Sequence, residues 1–266
     1  HQTVQKPKYQ TSRRKICYNT AKTKAKMLLY VHIPFCESKC PYCAFGSVVG
    51  KRNLTSAYFD AMIADFREQI LKFDVKNGDI ETVFIGGGTP SAVDAGYYER
   101  LFEAVAPYLA KDAEITTEAN PNSASLAWLS QMKSYGVNRV SFGAQSFFED
   151  KLKFLGRIHD ARQIYEAVAN AKTAGLENIN VDLIYSTKLD TKKRLEQEAQ
   201  NIRNLGVSHV SAYSLTLEEN TPFAGKINYA KDSPRLAKFM IERIEETGLK
   251  QYEISNFGQI CKHNLG

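Results

Sequence analysis

The sequence predicts an α/β protein whose parallel sheet is rolled into a barrel or half of one. Three observations predict it. Short apolar runs alternate with longer amphipathic segments along most of the chain, which is the pattern of repeated strand–helix units. Glycines stand where those amphipathic segments should stop, at Gly136, Gly175, Gly206 and Gly248. The residues that carry chemistry recur just after the apolar runs, at the strand ends where parallel barrels keep their sites.

In order, the apolar runs predict strands over residues 27–33, 81–85, 114–118, 139–142, 178–183 and 209–215. Helices are expected over 56–73, 94–108, 125–135, 161–174, 192–205 and 234–247, with Ser123 and Asp160 placed as N-caps. Sequential strand–helix–strand units favour parallel neighbours joined by right-handed crossovers. Cys36 then follows the first strand, Gly86 the second, and Glu118 ends the third. Gln145 follows the fourth, and Asp182 falls in the fifth.

At 266 residues, 43% hydrophobic and 24% charged, the chain suits one barrel-sized core and requires no second domain. Its net charge of +6 is uneven: residues 1–26 hold eight Lys or Arg and no acid, leaving 27 basic and 29 acidic groups in the rest. The body is therefore near neutral and offers no nucleic-acid surface; the charge belongs to a flexible N-terminal tail, for which an organelle transit peptide is a minor reading. The chain does not begin with Met, so a fragment of a longer protein is expected. No run of 18 apolar residues predicts a membrane span. Five cysteines, three of them in one motif, leave only Cys17 and Cys261, too few for a disulfide framework, and a reducing, cytoplasmic compartment is expected.

The run Tyr30-Val-His-Ile-Pro-Phe-Cys36-Glu-Ser-Lys-Cys40-Pro-Tyr-Cys43 is the most informative stretch. Three thiolates so close together can hold three irons of a cubane cluster and leave the fourth open to a small molecule. A structural zinc would want a fourth Cys or His nearby; His32, the only local one, lies across Pro34 in a predicted strand. Three successive glycines, Gly86, Gly87 and Gly88, allow a close backbone approach to a ligand or simply a tight turn. Asp182 interrupts the run Ile-Asn-Val-Asp-Leu-Ile, where a carboxylate needs a partner. Arg157 could be that partner, or both could touch a ligand.

CxxxCxxC with an aromatic residue before its third Cys resembles the radical S-adenosylmethionine superfamily. Further motifs extend the match: Gly86-Gly-Gly-Thr-Pro-Ser91, Glu118-Ala-Asn-Pro121, Ser141-Phe-Gly-Ala-Gln-Ser146, Gly156-Arg-Ile-His159, Asn180-Val-Asp-Leu-Ile184 and Tyr252-Glu-Ile-Ser-Asn-Phe257. Together they resemble the oxygen-independent coproporphyrinogen III oxidase family from about Met27 onward. The resemblance implies a partial (β/α)6 TIM-like barrel, open on one side, over 27–258. It implies a [4Fe-4S] cluster on Cys36, Cys40 and Cys43. Tyr30 and Glu118 would contact a first S-adenosylmethionine, with the Gly86, Gly87 and Gly88 backbone close to its methionyl end, and Gln145, Arg157 and Asp182, together with Gly88, Thr89 and Tyr42, would contact a second one. An electron donor such as flavodoxin or ferredoxin is implied as well.

Two branches of the family differ in readable places. The oxidase branch carries CxxxCxxCxC and a longer N-terminal extension, whereas Phe45 occupies the fourth cysteine position here and the given sequence shows only a basic tail before Tyr30. The HemW-type haem chaperone branch has Phe at that position and ends its core with HNxxYW. Here Cys261-Lys-His263-Asn-Leu begins that motif, and residues 259–266 read as the start of a truncated C-terminal region. A haem chaperone, with His263 as a haem ligand and a haem-acceptor protein as partner, is therefore the expected function. Decarboxylation of a porphyrinogen is the alternative, and a non-catalytic metal-binding module the distant one.

Overall fold

The computed structural model describes residues 27–231 and 233–259. The basic segment 1–26, and with it Cys17, lies outside the described residues, as do Cys261 and His263.

The elements run β1 (Met27–Ile33), β2 (Phe35–Cys36), β3 (Val48–Val49), α1 (Thr55–Lys72), β4 (Ile80–Gly87), α2 (Glu99–Val105), β5 (Leu109–Ala119), α3 (Leu126–Ser134), β6 (Arg139–Gln145), α4 (Glu149–Phe154), α5 (Ala161–Thr173), β7 (Asn178–Tyr185), α6 (Lys192–Leu205), β8 (His209–Ser214), α7 (Pro234–Glu245), β9 (Lys250–Gln251) and β10 (Asn256–Gly258). The principal sheet has the order β1-β4-β5-β6-β7-β8-β10-β9. Its first six strands are parallel neighbours, and β10 and β9 extend it antiparallel. β1 and β9 are its two edges, so the sheet is an open partial barrel.

All six predicted strands and all six predicted helical regions are present, with differences that have local causes. The expected helix over 94–108 breaks into α2 with a 3₁₀ turn on either side. Asp94 accepts a bond from Gly96 N, starting a tight turn, and Pro107 sits in the closing one. Ser123 is not an N-cap: Ser125 caps α3 by accepting from Trp128 N, while the Ser123 and Ser91 hydroxyls share a 2.6 Å bond. Asp160 does cap α5, in a reciprocal box with Gln163. The strands β2, β3, β9 and β10 and the short α4 were not anticipated, because two- and three-residue pairings and one-and-a-half-turn helices carry no periodicity.

Alternation along each strand divides the sheet into two chemically distinct faces. Val31, Ile33, Val83, Ile85, Ile115, Val140, Phe142, Ile179, Val181 and Val210 are buried in one core with helix residues such as Ile63, Leu101, Leu129, Ile164 and Ile202. The residues between them are polar: Glu114, Thr116 and Glu118 on β5, Arg139 and Ser141 on β6, Asn180 and Asp182 on β7, His209 and Ser211 on β8. They bond to one another across strands. Asn180 donates to Ser141 Oγ and Asp182 Oδ1, both at 2.7 Å. His209 Nδ1–H donates to Asn180 Oδ1 at 2.5 Å, which leaves Nε2 to accept from the Tyr252 hydroxyl at 2.6 Å.

One charged group lies inside the molecule behind the strand ends. Lys151 of α4, 1% exposed, pairs with Asp190 at 2.7 Å and with Glu198 of α6 at 3.4 Å. Glu198 also accepts from the Ser146 hydroxyl at 2.5 Å and Phe147 N at 2.9 Å, and Asp190 accepts from Thr187 N and its hydroxyl, each at 2.8 Å. The loops that follow β6 and β7 are thus fastened to one buried ammonium. Glu198→Ala leaves Lys151 with a single carboxylate and Ser146 and Phe147 without an acceptor. We expect it to lower stability by about 3–5 kcal/mol in urea unfolding.

Candidate functional site

The cysteine loop is held by contacts within the chain. β2 and β3 pair in parallel, Phe35 opposite Val48, and close the loop at its base. Cys43 N bonds to Cys40 O at 3.1 Å, a turn that keeps the second and third thiols near each other. On the far side Phe223 N donates to Pro41 O at 3.1 Å. Phe223 also belongs to a small second core with Leu155, Ile184 and Leu215, against which Tyr42 packs. The three thiols are free and partly exposed, and burial pushes the Cys43 thiol pKa up.

The glycine run that ends β4 passes beside the strand leading into this loop. Gly88 N donates to Ile33 O at 2.7 Å and Thr89 N to Phe35 O at 2.9 Å. A Cβ on Gly88 would lie 2.8 Å from Ile33 O and the Pro34 carbonyl. Gly87 has a φ of +113°, and its Cβ would lie 2.5 Å from the His32 ring. Both positions are closed first by the chain's own packing, so substitution there disturbs the cysteine loop as well as any ligand. At Gly87 the reason is His32, whose Nδ1 meets the Tyr30 hydroxyl at 3.1 Å and whose Nε2 meets Gly46 O at 2.8 Å, tying β1 to the end of the loop.

An open cleft lies between loop and strand ends. Cys36, Cys40, Cys43, Tyr42, Gly87, Gly88, Thr89, Glu118, Gln145, Arg157 and Asp182 all line it, and so do Phe45, Asn120, Ser141 and Gly143. Tyr30 does not. It is 56% exposed, stacks on Phe84 and borders a neighbouring groove with His32 and Tyr58.

Burial dominates the electrostatics of the cleft. The Glu118 carboxyl, which accepts from Gly87 N at 3.1 Å, is pushed up to about 7 by burial and by Asp182. Burial likewise raises Asp182, opposed by hydrogen bonds from Asn180 and Ser141 and by the Arg139 charge. Arg157 and Asp182 are not each other's partners in hydrogen bonds. Arg157 donates instead to Cys40 Sγ at 3.3 Å, Asn120 Oδ1 at 2.6 Å and Gly143 O at 2.9 Å. Burial opposes its charge, but Tyr42 and Cys40 hold it above the ordinary arginine range. Burial and the Arg157 charge depress His159 to about 4, so that it is neutral beside Ala144 O.

Cys36, Cys40 and Cys43 line the cleft together, a donor set that fits a cubane, which gives each thiolate its own iron. Asn120, which links Arg157 to the glycine turn, received no role from sequence reasoning. Its only signal was a polar side chain between the strand-end Glu118 and Pro121.

Comparison with known proteins agrees with this geometry. The Radical SAM superfamily model matches residues 30–202. The protein named haem chaperone HemW of Lactococcus lactis is 34% identical over 248 residues, 89% of this chain and 64% of its own length. HemW of Escherichia coli is 35% identical over 65% of its length. The mitochondrial radical S-adenosyl methionine domain-containing protein 1 of Bos taurus is 33% identical over 56%. The chain thus spans less than two thirds of each of these relatives. Among solved structures, coproporphyrinogen III oxidase HemN of Escherichia coli, described as a radical SAM enzyme, superposes with a TM-score of 0.76 at 25% identity. That match covers 88% of this chain and 56% of the oxidase.

The position of Glu118 has a consequence for stability. In the chain without bound cofactors, its native carboxyl holds a proton that the unfolded chain releases between about pH 4.5 and 7. Stability therefore falls as pH rises through that window, by at most about 3 kcal/mol. Glu118→Gln should flatten this slope in urea unfolding followed from pH 5 to 7.5.

Proposed function

This chain belongs to the Radical SAM superfamily, and on that footing we propose that it is a haem chaperone of the radical S-adenosylmethionine fold. It holds a [4Fe-4S] cluster and S-adenosylmethionine in the cleft and passes haem to an acceptor protein. Phe45 carries the reading. It stands two residues beyond Cys43, where the oxidase branch has a fourth cysteine, and is 70% exposed on the lining of the cleft. An aromatic face there offers a porphyrin a stacking surface in place of a further thiol. The relatives named haem chaperones, at 34–35% identity, support the same reading.

Cys36, Cys40 and Cys43 would hold the cluster. When bound, cluster and S-adenosylmethionine supply a one-electron reductive cleavage of a carbon–sulfur bond. The chain's own task is to orient the sulfonium. The Gly87 and Gly88 backbone meets its amino acid end, and Glu118, once ionised, accepts from its ammonium or ribose hydroxyls. Arg157 offers a cation for a carboxylate, and Thr89, Gln145, Asp182 and Tyr42 complete the wall toward a second ligand. Tyr30 approaches from the sheet edge through its bond to His32. Segment 1–26 is a basic tail, 27–258 the core, and 259–266 opens a further region in which His263 ligates haem. A low-potential donor such as flavodoxin or ferredoxin supplies the electron. No helix among the described residues is long and apolar enough to cross a membrane, and a cytoplasmic location belongs to the same proposal.

Replacing Cys36, Cys40 or Cys43 by Ala should abolish the cluster's absorption and reduced EPR signal, whereas Cys17→Ala should keep both. Full iron and sulfide content in Cys40→Ala would sink the assignment. Glu118→Gln should weaken S-adenosylmethionine binding about tenfold or more in calorimetry at pH 8 with the cluster retained.

The function itself is tested by anaerobic reconstitution of a full-length version with two assays. Haem binding with transfer to an acceptor is expected, weakened by His263→Ala, and coproporphyrinogen III should remain unconverted. Turnover of coproporphyrinogen III to protoporphyrinogen IX would establish the decarboxylase instead.

A further inference from the structure

Two of the cluster cysteines are joined by an unbroken path of side chains. Arg157 Nη1 donates to Cys40 Sγ at 3.3 Å, and its Nη2 donates to Asn120 Oδ1 at 2.6 Å. Asn120 Nδ2 donates to Thr89 Oγ1 at 3.3 Å, and the Thr89 hydroxyl donates to Cys36 Sγ at 3.5 Å. With Cys36 as the thiolate that a cluster requires, the direction of each proton follows. A guanidinium only donates, so the atom of Asn120 facing it must be the oxygen, and the amide nitrogen must face Thr89. That nitrogen occupies a lone pair of the Thr89 oxygen and leaves its hydroxyl proton for Cys36. The path is also anchored at its ends and middle: Arg157 donates to Gly143 O at 2.9 Å, and Asn120 N donates to Ser91 Oγ at 2.9 Å. Thr89 is buried.

We infer that Asn120 is a positioning residue that aims two hydrogen-bond donors, Arg157 and Thr89, at two cluster thiolates and so sets the cluster's reduction potential. The inference rests on the cluster reading above and adds a residue and a role to it. Reduction takes the cluster from the 2+ to the 1+ state by one electron from a low-potential donor, with no proton transferred. The added negative charge spreads onto the sulfurs, where hydrogen bonds and a nearby cation stabilise it. The Arg157 guanidinium is part-buried, so water screens its charge only partly. Asn120 itself touches no sulfur. It acts by fixing which way its two neighbours point.

The test is an anaerobic redox titration of the reconstituted full chain with dithionite, followed by EPR, with iron and sulfide assayed in each sample. Asn120→Asp replaces the amide nitrogen by an oxygen that accepts the Thr89 proton, turns the hydroxyl from Cys36 and sets a negative charge beside Arg157. At the wild-type midpoint, its oxidised-to-reduced ratio should rise about tenfold, a downward shift of about 59 mV for a one-electron couple. Thr89→Val, which removes only the second donor, should shift the same way by less. Arg194→Ala, whose partner is the surface residue Asp150, should titrate as wild type. A merely structural role for Asn120 would change cluster content and leave the potential where it was.

Loaded Asn120→Asp and Thr89→Val that share the wild-type potential would overturn the inference while leaving the cluster reading intact. Should Asn120→Asp fail to hold iron, Thr89→Val decides alone. Wild type that binds no iron and sulfide would overturn the cluster reading and this inference with it.

Discussion

The cleft depends on charges that never reach it. Lys151 is buried between Asp190 and Glu198, and a lone ammonium in that position would be untenable. The two carboxylates are obliged to stay, and each brings a loop with it. Glu198 carries Ser146 and Phe147, hence the turn at Gln145, which adopts a φ of +66°. Asp190 carries Thr187, next to Ser186 at φ +61°. Left-handed backbone at a non-glycine residue costs of order 1–3 kcal/mol and persists only where its surroundings hold it. Here the holding comes from one ion network. The strand ends that present Gln145 and lie just beyond Asp182 are therefore fixed from behind, with the mouth of the cleft left free for ligands.

The cysteine loop obeys a similar economy. It has almost no regular structure, yet it is gripped by the two-residue pairing of β2 with β3, by His32 at Gly46 and by Phe223 at Pro41. Only the last of these grips comes from a distant part of the sequence. A change in the loop after β8 should therefore be felt at Tyr42 and the cysteines although it approaches no ligand, because the small core of Leu155, Ile184, Leu215 and Phe223 transmits it.

Much of the fold was legible because strand–helix repetition writes itself as periodicity. The six parallel strands and Asp160 at the start of α5 follow from pattern and capping chemistry alone. Most of the cleft was legible for another reason: Cys36, Glu118, Gln145 and Asp182 occupy strand ends, and parallel topology gathers such ends on one rim. What escaped was whatever depends on pairing across long sequence separations. Nothing local says that Arg157 bonds Asn120 rather than Asp182, that Lys151 meets Glu198, or that Ser125 displaces Ser123 as a cap. The glycines taught a related lesson. At Gly87 and Gly88 the side on which a Cβ would stand is taken by His32 and the Pro34 carbonyl, while both residues still line the cleft.

The unclosed sheet has a consequence of its own. In a sealed eight-stranded ring the circumference fixes the bore, and side chains fill it. Here, among the described residues, β1 and β9 end the strand order without meeting, so the sheet is a wall with two free edges and one polar face. A rigid, disc-like guest could slide in edge-on, laying one flat side along the wall while its rim stayed within reach of solvent. Entry by that route needs no strand to break its ladder, and departure would be equally cheap. Such a port suits cargo that must be surrendered intact as readily as it suits a substrate held for chemistry.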